Sequence, residues 1–319
     1  MKQIPGLRKV RDFHAPPSED VVSFLENMGR GGGFMAPSLF EVASTFDAMC
    51  ARDRCTKFLS FPAAIVATGT RGVLIDMVRE GLVDAIVTTC GTLDHDIART
   101  LGNYYGGSFE MDDGKLRRSG YHRLGNVLVP LQDYGPLIEK RMQQMLTRLY
   151  ESGTRSVTSE QLSAEIGRDL GSNRSLLYWA QKKNVPVFVP GLTDGAVGSQ
   201  LWLFAESHRD FKIDLIGDER RLSDITSEAK ETGALVLGGG ISKHHTIWWG
   251  LFRGGLDWAC YITTASEFDG SLSGAHVREA VSWGKVKEKA KQASLYAEVT
   301  TVLPFIVSYV LAKRKKRAK

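Results

Sequence analysis

The sequence predicts an α/β protein built on a doubly wound, mostly parallel sheet, with a helical extension at its N-terminus. Two observations carry this. Short, continuous apolar runs alternate with longer stretches of helical periodicity, the pattern of strands buried on both faces. Glycine, threonine and aspartate gather directly after several of those runs, where the strands of such sheets give way to helices. No repeat, low-complexity tract or linker divides the chain, so one large domain accounts for most of its 319 residues.

Taken in order, residues 1–35 form a lead-in: Pro16 and Pro17, a short helical stretch from Val21 to Met28, and a Gly31–Gly33 break. The domain proper spans 36–312, and 313–319 form a basic tail. A helix is expected from Ser38 to Asp53, where Leu39, Val42, Phe46 and Met49 make one apolar stripe. Lys57–Phe61 reads as a strand, Gly69–Glu80 as a helix, Asp84–Thr88 as a strand and Leu93–Leu101 as a helix. A less regular middle contains the apolar run Asn126–Pro130. Helices follow at Leu137–Tyr150, Ser159–Asp169 and Ser175–Lys183. Alternation then resumes with strands at Pro186–Val189, Lys212–Ile216, Ala234–Leu237 and Trp258–Thr263. Helices are expected at Val197–Ser207, Arg220–Glu231, His244–Phe252 and Val299–Ala312.

At 43% hydrophobic and 24% charged, the composition is that of an ordinary globular protein rather than a disordered or membrane-spanning chain. No run approaches the ~20 apolar residues a membrane crossing needs, and the N-terminus has no apolar signal core. Cys50, Cys55, Cys90 and Cys260 are too scattered for a disulfide framework, and no metal site is expected. A reduced, cytoplasmic setting follows. Five of the positive charges behind the net +5 lie in Lys313–Arg317. That run reads as a solvated, frayed end, and without it the body of the chain is near neutral, so nucleic-acid binding is not expected.

Chemistry is expected at the strand ends. Four loops there are rich in Gly, Thr or Asp: Thr88–Thr92, Pro190–Gly195, Gly238–Gly240 and Thr263–Gly270. Glycines let backbone N–H groups approach a pyrophosphate, a following helix N-terminus favours its charge, and Asp194 and Asp269 suit ribose hydroxyls. Any one such loop can be a plain tight turn, whereas four at equivalent places favour a nucleotide cofactor. His244 and His245 open the helix after the triple glycine, where a histidine can move protons near neutral pH or merely pack the turn. Trp248 and Trp249 read as core residues, although Trp248 lies one turn from His244 on the same face. Finally, Lys285 follows Trp283 and Gly284. Desolvation beside an aromatic wall favours a neutral, nucleophilic amine able to form a Schiff base. If 283–285 is extended, Trp283 and Lys285 share one face.

These residues resemble the deoxyhypusine synthase family over roughly residues 20–312. The specific motifs are Gly238-Gly-Gly-Ile-Ser-Lys-His-His245, Glu267-Phe-Asp-Gly-Ser-Leu-Ser-Gly-Ala275 and Glu279-Ala-Val-Ser-Trp-Gly-Lys285. Tyr178–Gln181, Pro186–Phe188 and Leu192–Gly195 add further matches. The resemblance implies a Rossmann-like NAD-binding fold and NAD-dependent dehydrogenation of spermidine. The aminobutyl imine would pass to Lys285 and then to one lysine of the hypusine-containing translation initiation factor. It implies His244 as the proton-transfer residue, and Glu279, Trp283 and Ser273 as holders of the amine. On the cofactor side it implies Thr89, Asp194, Gly238, Gly239, Thr264, Ala265, Asp269 and Glu298, the last standing where the family has aspartate. A homotetramer with active sites at subunit interfaces is also implied.

The sequence departs from the family pattern at four places. Ser199, Leu272 and His95 replace acidic residues, and Trp248 replaces an asparagine. Either other acids, such as Asp94 and Asp96, are recruited to the polyamine, or the amine substrate differs. Two alternatives therefore stand beside the main reading: aminobutyl transfer to a small amine, as in a homospermidine-forming enzyme, and a non-catalytic NAD-binding paralogue.

Overall fold

The computed structural model describes residues 20–317. Its centre is a sheet of six strands: β1 (Cys55–Ser60), β2 (Ala85–Val87), β3 (Val187–Phe188), β4 (Glu231–Leu237), β5 (Leu256–Thr263) and β6 (Val286–Tyr296). Their spatial order is β6-β5-β4-β1-β2-β3, and every neighbouring pair is parallel. The chain thus starts in the middle, winds outward through β2 and β3, then returns to place β4 on the other side of β1. The fold class expected from the sequence is the one observed. The reversal falls between β1 and β4, and a crevice at their C-terminal ends is where such sheets take ligands.

Side-chain alternation explains why both faces are covered. Phe58, Val87, Ala234, Val236, Ala259 and Tyr261 pack with Leu222, Ile247, Val277 and Ala280. These last come from α9 (Leu215–Glu228), α10 (Gly240–Leu251) and α11 (Val277–Ser282). Leu59, Ile86, Leu235, Leu237, Cys260 and Ile262 serve the opposite face. That face is covered by α2 (Met35–Cys50), which packs on β5 and β6, and by α1 (Val21–Gly31) and α12 (Val299–Arg317) against α2. The helices α3 (Arg71–Arg79), α4 (Cys90–Leu101), α5 (Gly135–Glu151), α6 (Ser159–Leu170), α7 (Leu176–Lys182) and α8 (Ala196–Ser207) complete the first half.

Several expectations need correction. Lys212–Ile216 is not a strand of the central sheet. Only Lys212–Ile213 is extended, and it pairs with Ser156–Val157 in a separate two-stranded sheet. The Asp214 carboxylate accepts the Gly217 N–H at 2.8 Å, which caps α9 and draws Leu215 and Ile216 into its first turn. The irregular middle holds a small antiparallel sheet of Tyr105–Gly106, Tyr121–Leu124 and Val127–Pro130. Strand β6 was not anticipated at all. The basic run is not a frayed end, because α12 continues through Arg317. Arg317 grips both oxygens of Asp47 at 2.7 and 2.8 Å, while Lys313 reaches Glu26 and Lys316 reaches Asp20 at 3.4 and 3.5 Å. Expectations for residues 1–19 fall outside the described residues. Among the described residues no helix is long and apolar enough to cross a membrane.

Candidate active site

Helix α11 delivers Lys285. Its end is a Schellman turn: the Lys285 N–H donates to Ala280 O and the Gly284 N–H to Val281 O, both at 2.9 Å. Gly284 has φ +69°, a conformation that suits glycine. Residues 283–285 are therefore a helix cap and not the extended segment expected, because satisfying the last carbonyls of α11 takes the local backbone. Trp283 and Lys285 meet all the same. The ammonium lies 5.1 Å from the Trp283 ring and 5.4 Å from the Trp248 ring. Lys285 is only 7% exposed.

Helix α10 faces it. One turn apart, His244 and Trp248 stack with ring centres 5.5 Å apart, and His244 Nε2 stands 3.5 Å from Lys285 Nζ. Burial, and then the neighbouring Lys285, hold the His244 imidazole below its usual value. His245 points elsewhere, with Nε2 3.4 Å from Glu219 Oε1. Trp248 is not a core residue as expected. At 39% exposed it forms a wall of the cavity over Lys285, whereas Trp249 turns inward and donates to Glu219 at 3.0 Å.

That cavity measures about 260 Å³, and among the described residues Glu279 is the single acid that lines it. Its floor holds two groups that sequence reasoning missed. Lys243, 1% exposed, lies over the Tyr261 ring at 4.4 Å. Burial pulls its ammonium down to about 8, with Glu279 acting in the opposite sense. The Tyr261 hydroxyl is buried and has no hydrogen-bond partner among the described residues. Lys243 adjoins the predicted His244 in a motif quoted above, so position alone could have flagged it. Tyr261 carried no signal beyond a strand pattern.

A second cavity, about 480 Å³, opens at the sheet's reversal and is lined by Pro62, Leu237, Gly238, Glu298 and Thr300 among others. A Cβ on Gly238 would project to 3.3 Å from Pro62 across it, so only glycine leaves this part of the crevice open. Gly239 next to it is packed shut. A Cβ there would lie 2.2 Å from Ser273 Oγ.

Of the predicted cofactor residues, Gly238 and Glu298 line this crevice. Glu298 also caps α12, accepting the N–H and hydroxyl groups of Thr300 and Thr301. Burial raises its carboxyl, and those hydrogen bonds outweigh the effect, leaving it below its usual value. Thr89 accepts the Ala63 N–H at 3.1 Å. Asp194 is exposed before α8, and Thr264, Ala265 and Asp269 follow β5. These five occupy strand-end loops along the same edge without lining the crevice. Ser273, expected beside the amine, instead accepts the Gly240 N–H at 3.1 Å and does not line the cavity over Lys285.

The acids proposed as replacements are already engaged. Asp94 accepts from Val197 N, Ala196 N and Tyr134 Oη at 2.8–3.0 Å. Asp96 accepts from Arg71, Leu176 N, Leu177 N and Ser175 Oγ at 2.6–3.1 Å. Both are consumed holding helix starts, and neither lines the cavity over Lys285.

The deoxyhypusine synthase family model matches residues 23–310. A protein of Thermoplasma volcanium named as a probable deoxyhypusine synthase is 50% identical over 301 residues, covering 94% of this chain and 96% of its own. One of the same name from Ignicoccus hospitalis is 45% identical over 312 residues, covering 96% and 97%. A crystal structure from Entamoeba histolytica, of a candidate deoxyhypusine synthase, superposes with a TM-score of 0.68 at 24% identity, over 92% of this chain and 94% of that one. This last likeness concerns the fold alone.

Proposed function

The chain belongs to the deoxyhypusine synthase family, and from that premise we propose an NAD-dependent aminobutyltransferase. It acts on spermidine and delivers the aminobutyl group, through an imine on Lys285, to a lysine of the hypusine-containing translation initiation factor. The observation that supports this reading is the pairing of Lys285 Nζ with His244 Nε2 at 3.5 Å, inside a cavity walled by two indoles and one carboxylate.

Each residue then has a role. Glu279 neutralises one ammonium of the substrate, and the faces of Trp283 and Trp248 suit a cation or its alkyl chain. His244, neutral at physiological pH, takes a proton from the reacting nitrogen and returns it later. A separation of 3.5 Å is long for a hydrogen bond, and such contacts commonly tighten when substrate arrives. Lys285, once neutral, attacks the substrate imine carbon. By atom balance the departing fragment is propane-1,3-diamine, and the Lys285-bound imine is then passed to the acceptor lysine. NAD, when bound, supplies a hydride acceptor at the start and the hydride donor at the end. Gly238 and Glu298, which line the crevice, would hold it, and the family pattern adds Thr89, Asp194, Gly239, Thr264, Ala265 and Asp269 from the strand-end turns beside it. The family pattern adds a homotetramer with sites between subunits.

A second reading keeps the chemistry and changes the amine. It is favoured by the single acid that lines the cavity among the described residues, with Leu272 beside it and Asp94 and Asp96 committed elsewhere. Compensating a desolvated polycation with one carboxylate is costly. The test is to supply spermidine labelled in its butyl segment, NAD, and either the initiation factor or putrescine. Label entering the protein supports the first reading, and label confined to free polyamine refutes it.

A further inference from the structure

The loop 270–276 lines the cavity over Lys285 and packs on the glycine turn that borders the crevice. On one side Ser273 packs against Gly239 and accepts the Gly240 N–H at 3.1 Å, beside the crevice at the sheet's reversal. On the other, Leu272, Ala275 and His276 line the cavity over Lys285. The loop is tightly folded: a Cβ on Gly274 would lie 1.9 Å from Ser266 O. It runs directly into α11, which carries Glu279 and ends at the turn presenting Lys285.

One side chain ties this loop to the rest of the protein. Lys243 Nζ donates to Leu272 O at 2.7 Å and to Ala275 O at 2.8 Å. A buried ammonium is ordinarily matched with a carboxylate, yet no acid among the described residues pairs with Lys243, and Tyr261 offers it only a ring face. Both hydrogen bonds that this lysine makes among the described residues go to carbonyls of one loop. Those contacts fasten the loop to α10 at the residue preceding His244, so His244 and the loop share one anchor.

We propose that Lys243 is a positioning residue that fastens the loop lining the cavity over Lys285 and packed on the Gly239–Gly240 turn beside the crevice, so that it sets the affinity for the amine and for the dinucleotide together. The inference rests on the functional reading given above for the identity of the ligands. Its geometric part does not.

The test compares the wild type with Lys243→Met, which keeps the bulk and removes the donors, and Lys243→Gln, which keeps one amide donor. Hydrogen exchange is read without ligands at the Gly240 and Ala275 amides. Gly240 is protected by Ser273 Oγ, and Ala275 donates within the loop to Leu272 O. Expected in Lys243→Met is exchange at both amides at least tenfold faster, while amides of β1 and β4 keep their wild-type rates. KM for NAD and for spermidine should each rise at least fivefold, with kcat falling less than either KM rises, and Lys243→Gln should lie between. Unchanged exchange at both amides would overturn the proposal, as would a rise in only one KM or a fall confined to kcat. Should Lys243→Met not fold, Lys243→Gln against wild type carries the same comparison with the same outcomes. A wild type without turnover would defeat the functional reading while leaving the exchange result to judge the anchor.

Discussion

Replacing Gly239 by alanine tests the junction between the two cavities. The backbone of Gly239 has φ −161°, which any residue adopts, so the penalty is purely one of space. An added Cβ would lie 2.2 Å from Ser273 Oγ and 2.4 Å from both Ser273 Cα and Cβ. A hydroxyl can rotate away, but Cα cannot move without the loop that Lys243 holds. Inserting one carbon into a packed site costs about 1–3 kcal/mol, and because a backbone atom blocks the way we expect about 3 kcal/mol. Urea unfolding of Gly239→Ala should show that loss as a lower midpoint with an unchanged slope, with KM for NAD raised at least tenfold. The double variant Gly239→Ala/Ser273→Gly removes Oγ and Cβ yet leaves Cα in place, so it should recover only a minor part. Full recovery in the double variant, or a cost below about 0.5 kcal/mol in the single one, would refute the reasoning.

Other outcomes follow from the same structure. Asp96→Ala leaves the buried Arg71 guanidinium without its 3.1 Å partner, and unfolding should register a loss of about 3–5 kcal/mol. His95 sits against Tyr104 Oη at 2.8 Å, and burial, then Arg99, lower it to about 4. Between pH 6.5 and about 4 the unfolded chain therefore binds the extra proton, so stability falls as pH drops through that window, by about 3 kcal/mol in all. His95→Gln should flatten that part of the curve by the same amount, and a parallel curve would exclude this source. Glu279→Gln removes the one acid that lines the cavity over Lys285 among the described residues and should raise KM for spermidine about tenfold, equivalent to ~1.4 kcal/mol, with little change in KM for NAD. An equal rise in both would contradict its assignment to the amine.

What could be read from the sequence divides by physical cause. Strands buried on both faces, such as Leu235 to Leu237 in β4, announce themselves because burial demands apolar residues without interruption. Strand β6 stayed hidden because it is an edge. Lys287, Glu288, Lys289 and Lys291 break its pattern, and charge on an edge strand prevents pairing with other chains. Leu215 and Ile216 misled for the opposite reason: apolar yet exposed, they belong to a helix started by the side chain of Asp214. Lys285, His244, Trp283 and Glu279 were legible from their motifs, and the fold brings them to one cavity. The role of Trp248 was not, since a tryptophan on a helix face reads equally as core or as wall. Ser273, Asp94 and Asp96 show a further limit, because a hydroxyl or carboxylate near a site in sequence can be spent on backbone N–H groups.

The most direct measurement is trapping at Lys285. The enzyme is incubated with NAD and spermidine labelled in its butyl segment, reduced with borohydride, digested and mapped by mass spectrometry. The account predicts one labelled peptide carrying an aminobutyl adduct on Lys285, absent when NAD is omitted and absent from Lys285→Ala. An adduct at another lysine, or an equal yield from Lys285→Ala, would contradict it.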